Sequence, residues 1–311
     1  MSIGQTRNTK HTVGNSFSIC VGIPTKNSPV QLNKCLKMLK TNSSISFQVI
    51  VADSSSDHAS EKICNQFAGF FKSLVYIRHN KIGAAAARNI IAKISEADLL
   101  IFLDSDVYVY NDCIEQLVGY FTELPNQDCV LAPSVKFPKE GSKPMRIRSD
   151  GKVFIDYYNP DYFVSALILV PKKVYKQIFW NERMKTWYDD FFYCLCCKRR
   201  GLKLAFYDKT LADHDMDYEN RPRCFRIEQT GNKAYTMLFK HIFISPSVAS
   251  ILVLETVSFV QPLLWILQPD IFHPTQVLKL SVIYSSSWFR GNHQFLMDLN
   301  RYRQLESKQT I

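Results

Sequence analysis

The chain has 311 residues, 46% of them hydrophobic and 21% charged, with a formal net charge of +10. That is ample for a sizeable core and ordinary for a globular protein, which excludes a disordered or fibrous chain. The positive balance suits a phosphate-bearing substrate, an anionic membrane or nucleic acid, but the charges are spread rather than striped, which disfavours nucleic acid.

Nine cysteines, an odd number, are scattered through the predicted elements, which favours a reducing compartment over a disulfide framework. Cys194, Cys196 and Cys197 lack a second Cys/His pair at zinc spacing and read as a buried helix face. Residues 1–16 are polar, without periodicity or an apolar signal segment, and are expected to form a disordered tail. Asn42-Ser43-Ser44 matches a glycosylation sequon, which means little without a secretory signal.

From Phe17 the pattern becomes regular. Phe17 to Ile23 is apolar and β-branched, a first strand ending at Pro24. Leu32, Cys35, Leu36 and Leu39 recur at helical spacing. Phe47 to Ala52 is a second strand that runs into Asp53. Ile63, Phe67, Phe70, Phe71 and Leu74 mark a second helix, and Leu74 to Ile77 a third strand. Gly83 opens an alanine-rich helix through Arg88, Asn89 and Ile94. Leu99 to Leu103 is a strand buried on both faces, and Asp104-Ser105-Asp106 follows it. Ile114, Leu117, Val118 and Phe121 give another amphipathic helix.

Alternating strands and helices predict an α/β layer fold with a mainly parallel central sheet flanked by helices. Thr25 and Asn27, Asp53, Gly83, and Asp104 with Asp106 all follow strand ends, where ligands bind in open α/β sheets. Two adjacent carboxylates repel unless a cation sits between them, and oxygen ligands suit Mg²⁺ or Mn²⁺. No G-x-G-x-x-G or P-loop occurs, which counts against a dehydrogenase or a P-loop NTPase.

The second half is less regular. Residues 133–151, rich in proline, glycine and cations, read as a long basic loop. Tyr157, Tyr158 and Tyr162 near Asp156 and Asp161 suit carbohydrate or lipid contact, or equally a half-buried sheet edge. Ser165 to Val170 is a strand. Trp187 to Arg200 is a helix entered at Asp189-Asp190 and capped by Gly201. Lys203 to Tyr207 is a strand, and Asp213-His214-Asp215 follows.

Val21-Gly22-Ile23-Pro24-Thr25-Lys26-Asn27, Val49 to Asp57, Gly83 to Ala87-Arg88-Asn89, Asp104-Ser105-Asp106, and Asn181-Glu182-Arg183 followed by Asp189-Asp190 stand in the order seen in the family 2 glycosyltransferases. Over Ser18 to Asp215 the chain resembles that family, whose fold is GT-A. One departure is that Ser54 and Ser55 replace the usual second acid and glycine after Asp53. The resemblance implies an inverting, metal-dependent transfer from a nucleotide-diphosphate sugar to an acceptor hydroxyl, in cell-surface glycan or glycolipid assembly. It implies donor binding by Pro24, Thr25, Asn27, Asp53, Gly83, Arg88, Asn89, Asp104 and Ser105, with Asp53 accepting a hydrogen bond from the base. Mg²⁺ or Mn²⁺ would sit on Asp104 and Asp106, with His214 as a third ligand. Asp190 would be the general base, and Asp189 the next candidate. A nucleotidyltransferase shares the layout but normally needs a glycine-rich loop after the first strand, and Thr25-Lys26-Asn27-Ser28 lacks it.

The expected division is a catalytic domain over 17–220 and a helical C-terminal region over 221–311. Ile242 to Gln268 carries one ionisable residue, Glu255, and Val277 to Phe289 is again apolar. As a helix the first run is long enough for a bilayer core of about 30 Å. Pro246, Glu255 and Pro262 argue against a simple spanning helix. The segment therefore suits peripheral contact through 242–289 with the inner face of a membrane by a cytoplasmic enzyme, or packing on the catalytic domain or across a homo-oligomer. A glycan or a lipid-linked sugar is the expected acceptor.

Overall fold

Apolar β-branched runs and amphipathic helices build a layered α/β unit. The structure is a computed structural model that describes residues 17–215 except 82, 139, 149–151 and 186, together with 225–244, 246, 249, 251 and 285–299. The strands β1 (Ile19–Thr25), β2 (Gln48–Asp53), β3 (Ser73–Arg78) and β4 (Leu99–Leu103) are linked by helices α1 (Pro29–Thr41), α2 (Ala59–Phe67) and α3 (Ala84–Ile94). They pair in parallel in the order β3-β2-β1-β4. Every residue of β1 and β4 is buried, which is why both read as continuous apolar runs. Gly22 lies under α3, where a Cβ would collide with the side chain of Ile91.

The remaining elements are β5 (Val107–Val109), α4 (Cys113–Glu123), β6 (Cys129–Lys136), β7 (Met145–Ile147), β8 (Val153–Ile155), β9 (Leu167–Pro171), α5 (Lys172–Tyr175), α6 (Asp189–Arg199) and β10 (Lys203–His214). The sheet continues β4-β9-β6-β10-β5, with β9 antiparallel to β4 and β6, and β5 antiparallel to β10. β7 and β8 form a separate two-stranded sheet.

Three expectations change. α2 stops at Phe67; Phe71 turns back onto the Phe47 ring at 5.6 Å, and Phe70 stays exposed. The stretch 133–151 is less of a loop than expected, since it contributes the end of β6 and the whole of β7. β10 runs on from Tyr207 to His214. Its register slips on either side of Thr210, just past the pairing of Tyr207 with Pro133, which has no N–H for the ladder. Asn42 is buried, and its Nδ2 donates to the Val109 carbonyl at 2.7 Å, so it is an internal tie between α1 and β5.

Beyond residue 215, the described part is helical: α7 (Phe225–Phe239), a π turn over Lys240–Ile244, and a helix at 285–299. These pack on α6, where the Phe192 ring meets Tyr235 and Phe239 at 5.4 and 4.8 Å. Arg183 reaches Asp298 at 2.6 Å. Gly231 and Gly291 let the two helix backbones touch. Residues 1–16 and most of the apolar run 242–289 lie outside the described residues. Among the described residues no helix is long and apolar enough to cross a membrane.

Candidate active site

The rim at the carboxyl ends of β1 and β2 is tied by hydrogen bonds from neutral donors. Pro24 and Thr25 pair with Ala52 and Asp53. Asn27 takes φ +50°, a region asparagine tolerates. Its N–H donates to Ser55 Oγ at 2.7 Å, and its Oδ1 accepts from Ser56 N–H at 3.2 Å. Ser55 donates to Asp53 Oδ1 through both N–H and Oγ, at 2.8 and 2.5 Å, and Tyr76 OH donates to Oδ2 at 2.8 Å. Asp53 is fully buried, and its carboxylate ties the turn after β2 to Tyr76 of β3. Ser55 stands where the family usually has glycine, and its hydroxyl donates to the acid. Thr25 Oγ1 is buried with no partner among the described residues.

Arg88 organises the next part of the rim. α3 begins at Gly83, whose φ is +104°, and a Cβ there would lie 3.2 Å from the Lys185 Cα. Both facts call for glycine. Five residues on, the buried Arg88 donates to Asp104 Oδ1 at 2.6 Å and to Asp189 Oδ2 at 2.9 Å. Burial works against its charge, but the two carboxylates outweigh burial and hold it protonated. The guanidinium lies 4.5 Å over the Trp180 ring, which stacks on Tyr193 at 4.2 Å. Asn89 clamps the Trp180 backbone from both sides, accepting its N–H at 2.8 Å and donating to its carbonyl at 2.9 Å. It also donates to Glu182 at 3.1 Å. Asn89 thus positions the segment that carries Trp180. Sequence reasoning missed Trp180; its place just before Asn181-Glu182-Arg183 was the available signal.

Asp104 and Asp106 flank the buried Ser105 at the end of β4, and β10 brings His214 beside them by pairing it with Val107. His214 Nε2 lies 3.3 Å from Asp106 Oδ1, and the Asp215 N–H donates to the Asp106 carbonyl at 2.9 Å. One ligand atom from each of Asp104, Asp106 and His214 falls within 4.8 Å of the others. Burial, with the Asp106 charge adding to it, holds the Asp104 carboxyl above its ordinary value despite Arg88. The cluster is therefore short of positive charge. Two carboxylates and an imidazole whose Nδ1 has no partner among the described residues are a donor set that fits Mg²⁺ or Mn²⁺.

Trp187 and Tyr188, at φ +53° and +67°, place the two acids of α6 at a helix N-terminus. Backbone strain of this kind clusters at functional sites. Asp189 is held by Arg88. Asp190 accepts only the N–H of Phe191, at 2.7 Å, and forms no salt bridge among the described residues. Burial, and then the Asp189 charge, push its carboxyl up to about 7. Asp190 is therefore the acid free to take a proton near neutral pH.

Residues 20–211 match the family model described as Glycosyl transferase family 2. The chain belongs to glycosyl transferase family 2. Among curated relatives, this family 2 chain is 30% identical over 105 residues to Glycosyltransferase GlyA of Streptococcus pneumoniae, covering 34% of this chain and 15% of that one. It is 27% identical over 124 residues to the Poly(ribitol-phosphate) beta-glucosyltransferase of Bacillus spizizenii, covering 39% and 19%. The matched stretch thus spans under a fifth of either relative. Among solved structures, the mannosyltransferase PcManGT of Pyrobaculum calidifontis in complex with GDP-Man and Mn²⁺ superposes with a TM-score of 0.59 at 13% identity, covering 91% of this chain and 88% of that one. That likeness carries the fold, the GT-A architecture of a mainly parallel sheet between helices.

Proposed function

We propose that this chain transfers a sugar from a nucleotide-diphosphate sugar to an acceptor hydroxyl, with inversion, in the assembly of a cell-surface glycan. The observation that carries the reading is Arg88, which joins Asp104 of the cation cluster to Asp189 and leaves Asp190 unpaired. Asp104, Asp106 and His214 would hold Mg²⁺ or Mn²⁺. The bound ion supplies positive charge against the departing diphosphate. The turns at Thr25–Asn27 and Ser54–Ser56 hold the nucleoside, with Asp53 as their brace. Asp190 takes the acceptor proton as the acceptor oxygen bonds to the anomeric carbon and the bond to the diphosphate breaks. One displacement from the opposite face inverts that carbon.

The proposed organisation is a catalytic unit over 17–220 with a helical region over 221–311 buttressing α6. The proposed setting is cytoplasmic and peripheral at the inner face of a membrane, with a glycan or lipid-linked sugar as acceptor. The names of two relatives, a glycosyltransferase and a poly(ribitol-phosphate) beta-glucosyltransferase, support a glycan or related polymer as acceptor. A panel of UDP-, GDP- and other nucleotide sugars, each incubated with Mn²⁺ and assayed for released nucleoside diphosphate, tests it. Slow release from one or two donors is expected, and release from none, with Mn²⁺ and Mg²⁺ both supplied, contradicts it.

A further inference from the structure

Three acids compete for one buried cation. The charges of Asp104, Asp189 and Asp190 all act on Arg88. Its Nη2 donates to Asp104 and its Nη1 to Asp189, so the first two acids take the fork. Its Nε is buried and has no hydrogen-bond partner among the described residues. Two hydrogen bonds hold the tip of the group, and none of those described holds its Nε. A guanidinium held only at its tip can lean toward the third acid, whose charge attracts it.

Trp180 lies against the flat face of that group, with the guanidinium carbon 4.5 Å over its ring. The ring is itself firmly held. Tyr193 stacks on it at 4.2 Å, within 4° of parallel, and Phe102 meets it edge-on at 6.0 Å. Asn89, the residue after Arg88, fixes the Trp180 backbone through both its N–H and its carbonyl. The indole N–H is buried without a partner among the described residues. An unpaired buried donor is a cost that phenylalanine would not carry. What tryptophan adds is the best aromatic face for a cation, and a desolvated cation gains most from it.

We propose that Trp180 is a positioning residue whose indole face keeps the Arg88 guanidinium on Asp104 and Asp189 and off Asp190. The two hydrogen bonds set where the fork ends, and the indole sets its tilt. Of the charged groups that act most on Asp190, which are Asp189, Arg88 and Asp104, only Arg88 is a cation. Tyr162 and Cys194 also feel the Asp190 charge, and burial pushes both well above their ordinary values, so they stay neutral. A change in the Asp190 carboxyl therefore reports where Arg88 leans. That Asp190 stays available as the base of the transfer rests on the reading above, whereas the hold of Trp180 on Arg88 does not.

The test is a carbon-13 titration of the aspartate carboxyls in the labelled full chain, with Asp190→Asn to assign the signal. In Trp180→Leu the guanidinium can lean toward Asp190, so the midpoint of that carboxyl should fall by about one pH unit, the lower end of what a neighbouring cation does. Trp180→Phe keeps a weaker face and should show a smaller fall. A midpoint that stays in place or rises in Trp180→Leu overturns the proposal, and Trp180→Phe decides in the same way where the leucine variant does not fold. Urea titrations of the same variant give a second reading. Its loss of stability should be larger in the parent than in the Arg88→Met background, where no cation is left to hold, and equal losses overturn the proposal. Neither measurement needs a donor or turnover, so their failure and a failure of the transfer reading are separable.

Discussion

Asp53 and Asp104 both end parallel strands of the same sheet, yet their surroundings differ. Asp53 at the end of β2 is fully buried and meets only neutral donors, from Ser55 and Tyr76. Asp104 at the end of β4 meets Arg88, with a second acid and a histidine beside it. Neutral donors satisfy a carboxylate and make it a brace. An acid in an acidic cluster that one arginine does not balance is where a cation and chemistry belong. The same contrast separates Asp189, held by Arg88, from Asp190, which is not.

The largest expected effect breaks that second pair. Asp190→Asn should lower transfer by about 10² to 10⁴-fold, the usual worth of a general base, with nucleoside diphosphate affinity little changed. Near-normal transfer by this variant would move the base to Asp189. The pH dependence follows from its carboxyl standing near 7: the base is ionised above that value, so transfer should rise as pH passes through about 7. The stability change has the opposite sign. The folded state holds this proton more tightly than the unfolded chain does, so stability falls as pH rises from the ordinary carboxylate range to about 7. Denaturant titrations across that window should show a shallower fall for Asp190→Asn.

Arg88→Met comes next. It strands two carboxylates that now share one buried cation, and removing one partner of a buried pair costs about 3–5 kcal/mol. Urea midpoints check this, and a loss under about 1 kcal/mol would remove Arg88 as the link between the two acids. Asp53→Asn tests the brace. Its amide cannot accept from every donor now on the acid, so a loss of about 1–3 kcal/mol is expected, with the Mn²⁺ dependence of nucleotide binding unchanged. His214→Ala should be smallest, weakening Mn²⁺ in nucleotide-binding titrations by about tenfold, the lower end of what a lost metal-site group costs. Unchanged Mn²⁺ affinity would leave Asp104 and Asp106 as the protein ligands.

Much of this contrast was legible in the sequence where it depends on local pattern. Continuous apolar runs fixed β1 and β4, and the acids at strand ends marked the rim. What was not legible depends on contacts far apart in the chain. Nothing local to Asp53 says that Tyr76 will reach its carboxylate across the β2–β3 pair. Nothing local to Asn89 says that it will clamp a tryptophan 91 residues away. His214 was expected just beyond a strand; two register slips in β10 carry the strand on to it and so set it beside Asp106. The antiparallel placement of β9 between β4 and β6 is likewise a matter of topology, which apolar periodicity does not encode.

The central claim is that the Asp104, Asp106 and His214 cluster holds a divalent cation against a nucleoside diphosphate. Thermal unfolding of the full chain with UDP and with GDP, each with and without Mn²⁺, tests it most directly, because a ligand that binds only the folded state raises its stability by about 2.7 kcal/mol at a hundred times its Kd. The account predicts a nucleotide-dependent rise in Tm that requires Mn²⁺ or Mg²⁺ and disappears in Asp104→Asn with Asp106→Asn. A rise of the same size without metal, or one that survives in the double variant, would contradict it.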